Sequence, residues 1–260
     1  PPNQCIGICL GIPGLIEAER GMVTSSSHLG WNDVPIVSLL QQRKNMNIRL
    51  DNSVKLASLG ELWHGLGQGL DNFIYGYFGN GVGCSIIING AIVRGEVNAA
   101  GEMGHFVIDP HGRRCVCGNI GCLEALISLP ALLQRVSRSI KQPIETLSFE
   151  GVMSELTSGN TEIEYEFDQI GNYIGRALSY VTNLLNPKLI ICDGPLMQAS
   201  THLFPIIEQT LRRQCVSTTA GQVSLVRSKL YPYASCIGAA ASVIQSWEEE
   251  LESFEPVTDI

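Results

Sequence analysis

His105, Cys115, Cys117 and Cys122 are the residues of this chain with the most specific chemistry. Three thiolates and one imidazole make a closed, tetrahedral, soft donor set, which suits a structural Zn²⁺. Gly118 and Gly121 allow the loop from Cys117 to Cys122 the backbone angles that bring its sulfurs onto one ion. Isolated cysteines are often buried without any role. Three packed into eight residues, with a histidine nearby and glycines between them, are poorly explained that way. Two carboxylates, Glu102 and Glu124, flank the set. In the plainest reading, Glu102 is a helix-end carboxylate and Glu124 a first-turn charge that complements a helix dipole.

The segment must be carried by a folded body, and 260 residues suffice for one large domain or two lobes. The net charge of −8 and pI near 5.1 argue against nucleic-acid binding by these residues, because phosphate recognition needs a concentrated positive face. No apolar run approaches the ~20 residues that span a bilayer, so no membrane partner is expected, and no charged-then-apolar leader is read. Of nine cysteines, three belong to the metal set. The other six (Cys5, Cys9, Cys84, Cys192, Cys215 and Cys236) fall mostly in apolar segments, the pattern of buried thiols in a reducing, cytoplasmic environment.

Residues 5–14 read as a buried strand ended by Gly and Pro, and 15–31 as a strand and loop. Residues 33–42 read as a short helix capped by Asp33, with Pro35 in its first turn. A strand at 46–50 leads to a helix capped by Asn52 or Ser53 and running to about 66. Strands at 72–78 and 84–88 flank a glycine loop at 79–83, and Asn89-Gly90 turns the chain into 91–94. Helices are expected at 121–128, 129–140, 148–158, 162–185 and 199–214, with Pro187 stopping the long one. Strands at 189–192 and 223–227 and a helix at 235–254 complete an α/β protein. Gly238 to Ser242 form a small-residue stretch suited to close packing. Pro1-Pro2 looks like a connector cut mid-course, so the chain is expected to be a fragment of something longer.

Taken together, these residues resemble the ROK family of repressors, open reading frames and sugar kinases. The likeness rests on Gly11-Ile-Pro-Gly14, the Leu-Gly-Trp at 29–31, the Asn52 region, the glycine loop, Gly101-Glu-Met-Gly-His105, the Cys-x-Cys-Gly-x-x-Gly-Cys-x-Glu of 115–124 and Asn183-Leu-Leu-Asn-Pro187. It implies an actin-like, ribonuclease-H-like pair of lobes with a sugar in the cleft, the first lobe being incomplete. On this reading residues 1–52 are the rest of the small lobe, with the helix at 235–260 packed back on it. Residues 53–234 are the large lobe. The resemblance further implies that Asn52, Glu102, His105 and Glu124 hold sugar hydroxyls, and that the chain forms a dimer or tetramer.

The departures from the kinase pattern carry the functional expectation. Kinases of the family follow the sugar-binding Asn with an Asp that takes the proton of the attacking hydroxyl; here that position is Ser53, which has no base of its own. Gly79-Asn-Gly-Val-Gly-Cys-Ser85 stands where a glycine-richer phosphate loop is usual, and Asp193-Gly194-Pro195 would place negative charge near a polyphosphate. The Asp-x-Gly-Gly-Thr loop would lie before residue 1. The stretches at 107–115, 226–230 and 236–239 are more similar to sugar-responsive repressors. The expectation is therefore a non-enzymatic, sugar- or sugar-phosphate-sensing effector domain of a transcriptional regulator. Operator DNA would be met only through an N-terminal winged helix-turn-helix. An ATP-dependent sugar kinase is the alternative. A third reading is an oligomerisation scaffold without sugar, given some weight by His28 standing where kinases often have a sugar-side Asn.

Overall fold

The computed structural model describes residues 5–43 and 46–253. Pro1-Pro2 and the expected helical residues beyond 253 lie outside the described residues. The chain divides into two compact units. The first comprises residues 1–71, 85–100 and 229–260; the second comprises 72–84 and 101–228.

In the first unit, β1 (Ile8–Ile12) ends at the expected Pro and Gly. The chain then makes a three-stranded antiparallel sheet of β2 (Leu15–Glu17), β3 (Met22–Ser26) and β4 (Trp31–Val34). The sequence reading had a single strand and a loop here. The hairpin turn at Gly21, φ 61°, was the missed signal. Asp33 does not cap a helix: Val34 pairs with Val23, which draws Asp33 into β4 at φ 51°. Helix α1 (Ile36–Gln41) therefore begins behind Pro35, without a side-chain cap. Strand β5 (Ile48–Asn52) pairs with β1 in parallel, two residues later than expected, and leads into α2 (Ser53–His64). Ile16, Val23 and Leu50 form the core of this region, with Leu10, Trp31 and Val37 packed on it.

Strands β6 (Phe73–Phe78) and β7 (Val82–Ile88) follow. The turn between them is shorter than the predicted glycine loop, because Val82 and Gly83 already lie in β7. Val82 to Cys84 belong to the second unit and the rest of β7 to the first. There Asn89 (φ 53°) and Gly90 (φ 71°) turn it into β8 (Ala91–Ile92), the two positive φ values that favour an Asn-Gly pair.

The second unit continues with α3 (Leu123–Ile127), α4 (Leu129–Ser139), α5 (Phe149–Thr157) and α6 (Thr161–Leu185). Asn160 caps α6 by accepting from Glu162 N and Ile163 N, and Asn186 ends it in the left-handed region before Pro187. Ile163, Phe167, Ile170, Ile174, Leu178 and Val181 give α6 a buried stripe at helical spacing. Gly171 and Gly175 let α7 (Ser200–Gln214) pack close against it. Strand β9 (Leu189–Asp193), the short α8 (Ser217–Ala220) and β10 (Ser224–Arg227) complete this unit, whose strands neighbour one another in the order β10, β9, β6, β7.

The last helix, α9 (Ala234–Ser253), belongs to the first unit. It lies directly on α2: a Cβ at Gly238 would stand 1.6 Å from Leu56 O, and one at Gly60 would stand 2.4 Å from Ala234 O. The compact units thus depart from the division at residues 52 and 234 expected from sequence. Packing of α2 against α9 keeps α2 with the first unit, and the β7–β8 hairpin goes with it. Among the described residues, no helix is long and apolar enough to cross a membrane.

Candidate functional site

Three pieces of the second unit carry the metal-ligand set. Met103–His105 forms a single 3-10 turn with Met103 and Gly104 buried. Gly104 lies so close to β7 that a Cβ there would stand 2.2 Å from Val82 O. Residues 113–121 fold back on themselves: Cys115 N donates to Asn119 O (2.8 Å) and Gly121 N to Arg113 O (2.8 Å). Cys122 stands at the foot of this knuckle, bridged to Val107 and directly before α3. Gly121, at φ 75°, is the hinge of the arrangement, since a Cβ would fall 1.5 Å from Asp109 O. From α6, Arg176 braces the segment by donating to Ile108 O at 3.1 Å.

This folding brings the four predicted ligands together: His105, Cys115, Cys117 and Cys122 place their donor atoms within 4.8 Å of one another. Cys115 Sγ lies 3.6 Å from His105 Nδ1, and Cys117 Sγ lies 3.6 Å from Cys122 Sγ. A tetrahedron with metal–sulfur bonds of about 2.3 Å and metal–nitrogen bonds of about 2.0 Å spaces its corners by about 3.5–3.8 Å. The donor set and spacing fit a tetrahedrally held, thiophilic ion. Without one, burial pushes the Cys115 and Cys122 thiols up, while a hydrogen bond from the backbone of Asn119 pulls the exposed Cys117 down. A bound cation would hold all three as thiolates.

His105 turns Nδ1 to the cluster, which leaves Nε2 on the other side, 3.7 Å from Glu102 Oε2. Glu124 sits in the first turn of α3, where its Oε2 accepts from Val82 N at 2.8 Å. Glu102, His105 and Glu124 thus belong to one unit and are organised by the same knuckle.

Asn52 and Ser53 belong to the first unit, at the β5–α2 junction. Asn52 is the helix cap: its Oδ1 accepts from Val54 N (2.8 Å) and Lys55 N (3.1 Å), and its Nδ2 donates to Gly14 O (2.9 Å). Of its side-chain hydrogen-bonding groups, one amide hydrogen remains for a ligand. Ser53 is the first residue of α2. Asp51, the neighbouring carboxylate, is clamped by Arg94 through NH2–Oδ2 (2.7 Å) and NH1–Oδ1 (3.1 Å), and it accepts from Asn52 N at 2.8 Å. Arg94 also donates to Asn98 Oδ1, and Asn98 ties Lys55 and Ile16 O into the same network. Arg94, Asn98 and Lys55 were missed from sequence, because the contacts that tie Arg94 to Asp51, Lys55 to Asn98 and Asn98 to Ile16 O each span more than forty residues.

Asp193, expected from sequence to place negative charge near a polyphosphate, ends β9. It is buried, bonded to the Tyr75 hydroxyl, and its Oδ1 accepts from Gly194 N at 2.6 Å.

Similarity to known proteins agrees with this architecture. The ROK family profile matches residues 1–246. The xylose repressor of Caldicellulosiruptor bescii is 30% identical over 254 residues, covering 94% of this chain and 63% of that protein. A glucokinase of Halalkalibacterium halodurans is 32% identical over 219 residues, covering 80% of this chain and 66% of the enzyme. The crystal structure of a ROK family transcriptional regulator, a homolog of the E. coli MLC protein, superposes with a TM-score of 0.84 at 30% identity, covering 92% of this chain and 62% of that one. The chain therefore spans just under two thirds of the length of these proteins, and its relatives include both repressors and kinases. On the family profile and these likenesses, the chain belongs to the ROK family, with that family's mixed α/β fold.

Proposed function

We propose that this chain is the sugar-sensing effector domain of a ROK-family transcriptional regulator, and that it binds a sugar or sugar phosphate without phosphorylating it. The observation that carries this reading is the state of the β5–α2 junction. Ser53 occupies the position of the kinase base, and Asp51 has both oxygens engaged by Arg94 and one also by Asn52 N. A hydroxyl with no base of its own, beside a carboxylate held as an ion pair, is a poor acceptor for the proton of an attacking sugar hydroxyl.

In this reading Zn²⁺ is the ion of the His105, Cys115, Cys117 and Cys122 set, and its part is structural. It fixes His105 through Nδ1 so that Nε2, Glu102 and Glu124 meet sugar hydroxyls, with Asn52 as the fourth contact. A carboxylate accepts from vicinal hydroxyls, and a ligand that favours one arrangement of the two units would shift the population between arrangements. The working protein is a dimer or tetramer, and its operator contact comes through a winged helix-turn-helix outside these residues.

Sugar kinase activity is the second reading, favoured by the 32% identity to a glucokinase. Calorimetric titration with xylose, glucose, N-acetylglucosamine and their phosphates, run beside an ATP-coupled phosphorylation assay, separates the two. Saturable binding without turnover, lost in Glu102→Gln/Glu124→Gln, is expected. ATP-dependent turnover that Ser53→Ala abolishes would establish the kinase instead.

A further inference from the structure

The first unit holds a recess beside β5. Arg49 and Asp51 share one face of β5, while Leu50 points the other way into the core with Ile16 and Val23. On the Arg49/Asp51 face a cleft of about 340 Å³ opens, walled entirely by the first unit: β5, the end of α2, the β7–β8 turn and α9. Its size is that of a small-molecule site.

The walls have a definite chemistry. Trp63 and Leu59 from α2 and Ile92 from β8 supply apolar surface. Ser242, Gln245, Ser246 and Glu249 recur at helical spacing along α9 and line the same space, with Gln245 Nε2 donating to Glu249 Oε1 at 3.2 Å and the Ser242 side chain bonded to Cys9. The Asp51–Arg94 pair forms part of the lining. The Arg49 side chain lines it with no hydrogen bond or ion pair to a described residue, close enough for its charge to act on Cys9. Two arginines face two carboxylates, so the cleft has no net charge to select an anion.

We infer that this cleft is a second ligand site, for a neutral ring compound bearing several hydroxyls, of the monosaccharide class. An indole face accommodates the C–H side of such a ring, and planar guanidinium, amide and carboxylate groups can each bond two neighbouring hydroxyls. The site does not depend on the proposed role of Glu102, His105 and Glu124, because none of them lines it.

The test follows the indole N–H signals of the three tryptophans, Trp31, Trp63 and Trp247, by two-dimensional NMR, assigned through Trp→Phe variants. Glucose, xylose and N-acetylglucosamine are titrated through the millimolar range into the unmodified chain and into Glu102→Gln/Glu124→Gln. The expected result is a saturable shift of the Trp63 signal with at least one sugar in both proteins. Arg49→Ala and Gln245→Ala each weaken it by about tenfold, the size of one lost polar contact, with the thermal transition unchanged. No saturable shift with any of the three sugars overturns the inference. So does a Trp63 shift that vanishes in Glu102→Gln/Glu124→Gln, or one reproduced by inorganic phosphate alone, which would mark an anion site at Arg49.

Discussion

The metal-ligand knuckle and the β5–α2 junction organise their key residues in opposite ways. The knuckle draws its four donors from one short run of chain and is held by local backbone bonds, yet its thiols gain a common purpose only through an added ion. The junction needs no ion. Asn52 and Asp51 are fixed by partners 38 and 43 residues away, Gly14 O and Arg94, and the helix cap is closed by the chain itself. A locally encoded site is exposed to loss of its ion, and a tertiary one to loss of a distant partner.

That contrast can be broken first at the knuckle. Cys122→Ser is expected to abolish stoichiometric metal, read by elemental analysis, and to lower stability by on the order of 3 kcal/mol, or about 5–10 °C in Tm. A chelator should reproduce the Tm drop in the unmodified chain and add nothing in the variant. Gly121→Ala should cost a similar ~3 kcal/mol, since Asp109 O stands 1.5 Å from the new Cβ. Gly118→Ala has no atom within 4 Å of its Cβ and only a φ of 95° to strain it, so about 1 kcal/mol is expected. Equal losses at the two glycines would mean that backbone angle, not close approach, governs the knuckle.

At the junction the expected effects are smaller. Arg94→Ala leaves the nearly buried Asp51 unpaired and should cost about 2 kcal/mol in chemical denaturation, less than a fully buried pair because Arg94 is itself half exposed. Asn52→Ala removes the α2 cap, worth about 1 kcal/mol, whereas Asn52→Ser keeps a cap acceptor and loses only the Nδ2 donor. If the proposed sugar contact is made by that donor, both variants bind sugar at least about tenfold more weakly, while only the alanine variant is clearly destabilised.

A further effect, confined to alkaline pH, is expected at Cys84. Burial, with a lesser contribution from Glu102, raises its thiol from 9.0 to about 12. The folded state then holds the neutral thiol after the unfolded chain has ionised. This contribution to stability is complete below pH 9 and is lost as pH rises toward 12. A Tm–pH profile of Cys84→Ala should fall less steeply across that window.

Much of the fold was legible because its signals are short-range. Asn89-Gly90, the Asn52 cap and Pro187 after α6 each act within a turn of chain, and the structure places each as expected. Asp33 failed as a helix cap for a tertiary reason, the pairing of Val34 with Val23. Asp193 likewise has a partner that no local pattern shows, the Tyr75 hydroxyl 118 positions away.

The sequence by itself determined the donor set of the knuckle and the family, because residue identity and close spacing are enough for both. Only the tertiary structure decided which histidine nitrogen faces the cluster and that Asp51 is bound to Arg94. It alone decided that Arg49 and Asp51 line one cleft of the first unit. Each of these depends on side chains brought together from distant parts of the chain, and a linear pattern carries no record of such meetings.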